Sequence, residues 1–353
     1  MKSFLKVLFS FAMVATCFSW ESCSDHSEKK ASASLVGAGA TFPLPYYNLA
    51  FSTYQKDSGV KVNYGGIGSG GGIRSLQDQL VDFGGSDAFL SDEELKQMPS
   101  TVLHIPSCLG AVVLAYNLPG VSKLNLTPLL LQDIYLGRIT KWSDTALQAI
   151  NPGVNLPNIT IHPIYRSDGS GTTYVFSYYL AQINSDWAHS IGVGKSLSWP
   201  IGMAAKGNPG VAGMINQTEG ALGYIGSEYA FASKIPVAYI QNASGKFILP
   251  TNNSISAAAQ GDIPSDTRLM ITNSEVENAY PISCLTWILI YQEQAYRDRS
   301  LSQAKALQNF LLWMIGNQAQ NLATKVHYAP LSSSLHHRAQ ERIQSMTYNG
   351  KSL

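Results

Sequence analysis

Charge is the scarcest ingredient of this sequence. Lys, Arg, Asp and Glu together make up 13% of its 353 residues, against roughly 25% in an average soluble chain. The balance is +1 at pH 7, with no basic run, so the electrostatic footprint of a nucleic-acid binder is missing. Cysteine is nearly absent too: Cys17 and Cys23 lie near the N-terminus, and Cys108 and Cys284 in the body. No His, Cys and carboxylate cluster has metal-ligand spacing, so neither a metal nor a cofactor is expected. Hydrolase signatures are incomplete. Ser69 and Ser170 have Ile67 and Asp168 where a nucleophile elbow needs glycine. The body histidines, 104, 162, 189, 327, 336 and 337, stand in no triad context. The segment GSGGGIRS lacks the lysine of a phosphate-binding P-loop. No tandem period is visible.

What is present begins with an apolar leader. MKSFLKVLFSFAMVATCFSW carries lysines at 2 and 6 and an apolar stretch from Val7 to Ala15. It reads as an export signal, too short to span a membrane, and the polar SCSDHSEKKASAS reads as a tether. Residues 1–34 are assigned to these two parts. Two cleavage patterns stand open. Val14-Ala15-Thr16-Cys17 approximates a lipoprotein site, so a lipid anchor on Cys17 or Cys23 is one outcome. Ala31-Ser32-Ala33 is the small-x-small pattern of ordinary cleavage.

An apolar share of 45% indicates a globular body, and its length favours two lobes over one core. SLVGAG and VKVNYGGI read as strands. Between them Pro43, Pro45, Tyr47, Ala50, Phe51 and Tyr54 mark a helix that stops near Gly59. A helix after GSGGG is expected to bury Ile73, Leu76 and Leu80 on one side. VDFGGSD is a short strand before the acidic helix start SDEEL, and ITIHPIYRS feeds a helix whose buried face is Val175, Phe176, Tyr179 and Leu180. The repeated order of strand, small-residue loop and helix predicts an α/β fold with ligand loops at strand carboxyl ends. Two long apolar strands, SCLGAVVLAYN and SCLTWILIYQ, are placed as crossovers between lobes. Lobe one is then 35–116 plus 284–353, and lobe two is 117–283.

Three segments share one design: GAGATF with Thr41, IGSGGGI with Ser69, and SDGSGTT with Ser170 and Thr172. A helix start offers unpaired N–H groups and roughly half a positive charge, glycine permits close approach, and a hydroxyl adds a donor. Any one of them is explained as a plain helix cap. Three in one chain, one of them beside Arg166, point to an oxyanion site.

GAGATFP, KVNYGGIGSGGGI, DFGGSDAFLS, DIYLGRITKWSD, RSDGSGTT, KGNPGVAG and GALGYI, in this order from about residue 35 to 331, closely resemble the periplasmic phosphate-binding protein of the phosphate ABC importer, the PstS family. The resemblance implies a two-lobed periplasmic-binding-protein fold of type II character, with mixed-sheet lobes and the anion in the cleft. It implies phosphate contacts from Thr41, Phe42, Ser69, Asp87, Arg166, Asp168, Ser170, Gly171 and Thr172. It also implies a periplasmic monomer that delivers inorganic phosphate to an inner-membrane permease and its ATPase subunits. Arg166 would supply charge, Asp168 would fix its fork, and Asp87 would accept the proton that phosphate carries near pH 7. AAKGNPG departs from the family's commoner GGKGNDG, which puts the backbone at the cleft edge in question. Cys108 and Cys284 are not family hallmarks. Placed in the two crossovers, they are expected to form a disulfide, with two buried thiols as the alternative. A phosphate-ester hydrolase and a phosphate-sensing surface protein are the competing functions.

Overall fold

The computed structural model describes residues 34–353. The export signal, its cleavage patterns, Cys17 and Cys23 lie outside the described residues. In chain order, β1 (Ser34–Gly39), α1 (Leu44–Ser58), β2 (Lys61–Gly66), α2 (Ser69–Gln77), β3 (Phe83–Ser86) and α3 (Asp92–Lys96) lead into the long β4 (Val102–Tyr116). Next come β5 (Asn125–Leu126), α4 (Pro128–Tyr135), α5 (Thr145–Ala149), β6 (His162–Arg166), α6 (Gly171–Ile183), α7 (Ser185–Ser190) and β7 (Met203–Ala205). They are followed by α8 (Gly207–Gln217), β8 (Ala221–Gly226), α9 (Ser227–Ala232), β9 (Tyr239–Gln241), β10 (Phe247–Ile248) and α10 (Asn252–Ala258). The chain closes with β11 (Ser283–Tyr291), α11 (Leu301–Ile315), α12 (Asn317–Lys325), α13 (Ser333–Gln344), β12 (Thr347–Tyr348) and β13 (Lys351–Ser352).

Eight strands form one mixed sheet in the order β2-β1-β3-β11-β4-β8-β6-β7. β4 is its spine. From Val102 to Ala111 it pairs antiparallel with β11, and from Val112 to Tyr116 with β8. One half-sheet therefore hangs on each end of a single strand, which gives the two mixed-sheet lobes. Every residue of β4 and β11 is buried, as strands covered on both faces must be. β4 joins both half-sheets, whereas β11 pairs with β3 and with the first part of β4.

Local chemistry explains the helix ends. Pro43 and Pro45 open α1, and Gly59 closes it at φ 75°, donating its N–H to the Gln55 carbonyl. The buried face of α1 joins a ring cluster in which Tyr47 stacks on Phe51 at 4.9 Å and Phe51 meets Phe310 at 5.1 Å. Each fully buried ring of this kind is worth about 2 kcal/mol or more. Ser91 and Glu94 form a reciprocal capping box on α3.

Two expectations need correction, and one helix went unforeseen. Leu80 is not on the buried side of α2; it is 66% exposed. The helix ends at Gln77, and Gln79, at φ 54°, turns the chain away before Leu80 is reached. The C-terminal region holds α12, which the sequence pattern did not reveal, because Gly316 adopts extended backbone and divides the stretch after Leu301 into two helices.

Cys108 and Cys284 are free, buried thiols rather than a disulfide. Cys284 faces Gly110 and Cys108 faces Thr286, so the cysteines are diagonal neighbours. Diagonal positions in an antiparallel pair lie roughly 7–8 Å apart, beyond the usual Cα separation of a disulfide. A bulge accompanies this register: Ser107 is the extra residue between Pro106 and Cys108. Its stranded carbonyl accepts from Gln320 Nε2 at 2.9 Å, and its hydroxyl donates to the Thr286 carbonyl at 3.0 Å.

Candidate anion-binding site

Five loops at strand carboxyl ends converge beside β4. The loop after β1 brings Thr41 and Phe42, β2 leads into Ser69, and β3 into Asp87. β6 ends at Arg166 and leads through Asp168 and Ser170 into α6, while β7 leads into α8. Thr41, Phe42, Ser69, Asp87, Arg166, Ser170, Gly171 and Thr172 are all buried, and Asp168 is partly so. All nine residues singled out in the sequence belong to this one constellation.

The hydrogen bonds set the polarity of the hydroxyls. Thr41 Oγ1 accepts from the Asn208 N–H at 3.1 Å and from Asn208 Nδ2 at 3.0 Å. Ser69 Oγ accepts from the N–H groups of Gly171 at 3.1 Å and Asp87 at 3.4 Å. Thr172 Oγ1 accepts from Asn208 Nδ2 at 3.3 Å and Arg166 Nη1 at 3.4 Å. A hydroxyl has two acceptor lone pairs and one proton. With both lone pairs occupied, each of the three can only donate to any further group. Ser170 Oγ caps α6 by accepting from the Thr173 N–H at 3.1 Å, and its proton too is left to donate. Ser69 and Gly171 also stand at helix first turns, whose amides have no partner within the helix.

Arg166 is clamped. Its Nε donates to Asp168 Oδ1 at 2.8 Å and its Nη2 to Oδ2 at 2.6 Å. This bidentate fork fixes the guanidinium plane and cancels much of its charge. Burial works against the Asp168 carboxylate, yet Arg166 and the Gly207 N–H, at 2.9 Å, hold it below the usual range. Beneath Arg166, its own N–H donates to Tyr224 Oη at 3.0 Å.

Asp87 is the acid of the site that no arginine clamps. Burial pushes its carboxyl up to about 7, opposed by the Thr286 hydroxyl and by the charge of Arg166. Thr286 donates to Oδ1 at 2.7 Å, and Oδ2 remains to accept a further proton. The site thus joins several fixed donors to a single acceptor in a dry environment. That pattern matches a tetrahedral oxyanion carrying a proton.

Glycine is required where the loops touch. A Cβ on Gly171 would lie 2.5 Å from Ser69 Oγ and 2.8 Å from Asp87 Cβ. Phe42 contributes differently from its neighbours: its ring is core, edge-on to Tyr328 at 6.0 Å, so only its backbone can meet a ligand.

Asn208, Gly207 and Thr286 were not singled out in the sequence. The signal for the first two was KGNPG, a short strand running through glycine into a helix start. Pro209 sits in the first turn of α8, where its missing N–H costs no helix bond, so the departure at this position leaves the backbone contacts intact. Thr286 is the lone hydroxyl in the apolar run CLTWILI. Ser69 and Ser170 receive backbone amides, and His104 is a core residue that accepts from the Leu90 N–H at 3.0 Å.

The chain is similar to known proteins over most of its length. Residues 24–318 match the PBP superfamily domain. The phosphate-binding protein PstS of Xylella fastidiosa is 39% identical over 314 residues, covering 88% of this chain and 84% of the relative. A high affinity periplasmic phosphate-binding protein, solved with phosphate bound, superposes with a TM-score of 0.71 at 22% identity, over 87% of this chain and 93% of the other. An ABC-type phosphate transport receptor from Vibrio cholerae superposes with a TM-score of 0.56 at 19% identity, over 84% of this chain and all (100%) of that one. The fold is the two-lobed α/β architecture of these periplasmic binding proteins.

Proposed function

The chain belongs to the PstS family of phosphate-binding proteins, and from that premise we propose that it captures inorganic phosphate and delivers it to an ABC permease. The observation that carries this reading is the donor-only state of Thr41, Ser69 and Thr172 around the single acceptor Asp87. Phosphate near neutral pH offers several unprotonated oxygens and at least one P–OH. The oxygens take the hydroxyls, the helix-start amides and Arg166. The P–OH donates to Asp87. Asp168 touches the ligand indirectly, by holding the Arg166 fork.

Residues 35–116 with 284–353 form one lobe, and 117–283 the other. Contacts that tie them include Asn208 to Thr41, the Gly171 amide to Ser69, and Lys195 to Glu94 at 2.6 Å. Phosphate gathers donors from both lobes, so its capture closes the cleft, and the closed form is what the permease and its ATPase subunits read. The apolar leader supports export to the periplasm. The test is to strip the purified protein of phosphate, add one equivalent, and measure uptake and compaction by small-angle scattering. Stoichiometric uptake with compaction supports the reading. Turnover of a generic phosphate ester, or no uptake, contradicts it.

A further inference from the structure

Glu228 is a buried carboxyl that the anion site does not use. It is 2% exposed, and neither carboxyl oxygen has a well-aligned hydrogen-bond partner; the buried Ser227 hydroxyl and the Tyr328 hydroxyl lie near enough to steady its charge without closing a full bond. Buried polar atoms left unpaired are rare, and a cluster of them beside a ligand site calls for an explanation. The backbone confines this side chain: a Cβ on Gly226 would lie 2.1 Å from Glu228 Oε1.

What surrounds Glu228 is the back of the first anion loop. Two consecutive carbonyls of that loop are held by tyrosines. Tyr229 donates to the Thr41 carbonyl, and Tyr328 donates to the Phe42 carbonyl at 2.5 Å. Tyr229 is adjacent to Glu228 in sequence. The Tyr328 hydroxyl lies beside the Glu228 carboxyl, but its proton goes to Phe42. The other titratable groups facing Glu228 are Asp87 after β3, Cys108 on β4 and Cys284 on β11. The charge of Arg166 reaches the adjacent Tyr229.

We propose that Glu228 is a positioning residue for anion capture, acting through Tyr328 on the Thr41–Phe42 loop. The proposal rests on the phosphate reading above. One phenol proton has two candidate acceptors. While Glu228 is protonated, Tyr328 anchors Phe42 and the loop keeps its ligand-ready shape. Once Glu228 ionises, its charge draws the Tyr328 proton away from the Phe42 carbonyl and adds a negative charge behind the anion. Burial pushes the Glu228 carboxyl up to about 8. Capture is therefore supported below that pH and weakened as pH rises through it.

The experiment is phosphate titration at pH 7 and pH 9 with wild type, Glu228→Gln and Tyr328→Phe. The readout is the ratio of Kd values at the two pH values for each protein. The ionisation of phosphate is shared by all three and cancels on comparison; that of Asp87, which faces Glu228, is shared by wild type and Tyr328→Phe. The ratio is expected to be about tenfold larger for wild type than for either variant, the worth of one hydrogen bond. Tyr328→Phe keeps the test open should Glu228→Gln fail to fold. Equal ratios in wild type and in the folded variants overturn this proposal alone. No phosphate binding by wild type at either pH overturns the phosphate reading, and this proposal with it.

Discussion

Asn208 grips Thr41 twice: its backbone N–H and its side-chain amide donate to the same hydroxyl, at 3.1 and 3.0 Å, across 167 residues of chain. The same amide reaches Thr172 at 3.3 Å, while Asn208 Oδ1 accepts from the Gly226 N–H at 3.0 Å. One side chain thus orients two hydroxyls of the site. Asn208→Ala leaves each of them a free lone pair and opens a buried gap. Phosphate affinity is expected to fall on the order of 10- to 100-fold, from about 1–3 kcal/mol. Calorimetric titration checks this. A loss of less than twofold would show that the hydroxyls need no such orientation.

Gly171 is where the α6 start meets Ser69 and Asp87. An added methyl would sit 2.5 Å from Ser69 Oγ and 2.8 Å from the Asp87 N–H nitrogen, distances that real Cβ atoms do not tolerate. Backbone atoms cannot swing aside as a flexible side chain would. Gly171→Ala should therefore fold, because φ there is ordinary, yet fail to close. Scattering and titration together check this: normal secondary structure, no compaction on adding phosphate, and binding weakened at least 100-fold, as the lost first-turn contacts imply. Wild-type compaction in the variant would place the contact elsewhere.

The two raised carboxyls make stability depend on pH in a known direction. Asp87 titrates near 7 and Glu228 near 8 in the folded chain, both pushed up by burial. Their unfolded values lie near 4, so between pH 7 and 9 the unfolded chain has already lost protons that the folded chain releases only within that window. Stability that was full below the unfolded values is therefore lost as pH climbs through the folded ones. His104, driven down to about 3 by burial, acts oppositely, but only below its ordinary 6.5, outside this window. The thermal midpoint of stripped protein should fall from pH 7 to pH 9. The double variant Asp87→Asn, Glu228→Gln should flatten that fall. An undiminished fall in the variant would assign the effect to other groups.

Much of this was legible along the chain because it is local. Prolines and a glycine bracket α1, Ser170 caps α6, and the largely apolar character of β4 and β11 reflects burial on both faces. The anion loops were legible for the same reason, since each is a glycine-rich turn into a helix. Leu80 misled because periodicity continues past Gln77, where backbone geometry ends the helix. The cysteines misled because adjacency of strands does not reveal register, and a shift of two residues sets the thiols diagonally. The partners of Asn208 and Tyr328 and the burial of Glu228 were not legible. Those partners lie 167 and 286 residues away, and Glu228 is defined by burial that only the assembled sheet supplies.

The central claim is that the site admits an oxyanion only if that anion brings a proton for Asp87. Sulfate matches phosphate in shape and would accept every donor, but at neutral pH it has no proton to give. Against the ionised Asp87 carboxylate, it would place two acceptors together in a dry site, at a cost of several kcal/mol. Titrating stripped protein with both anions at pH 8, above the Asp87 value of about 7, tests this most directly. The account predicts sulfate binding weaker on the order of a thousandfold, a gap that narrows in Asp87→Asn, whose amide can donate. Equal affinity of the wild type for the two anions would contradict it.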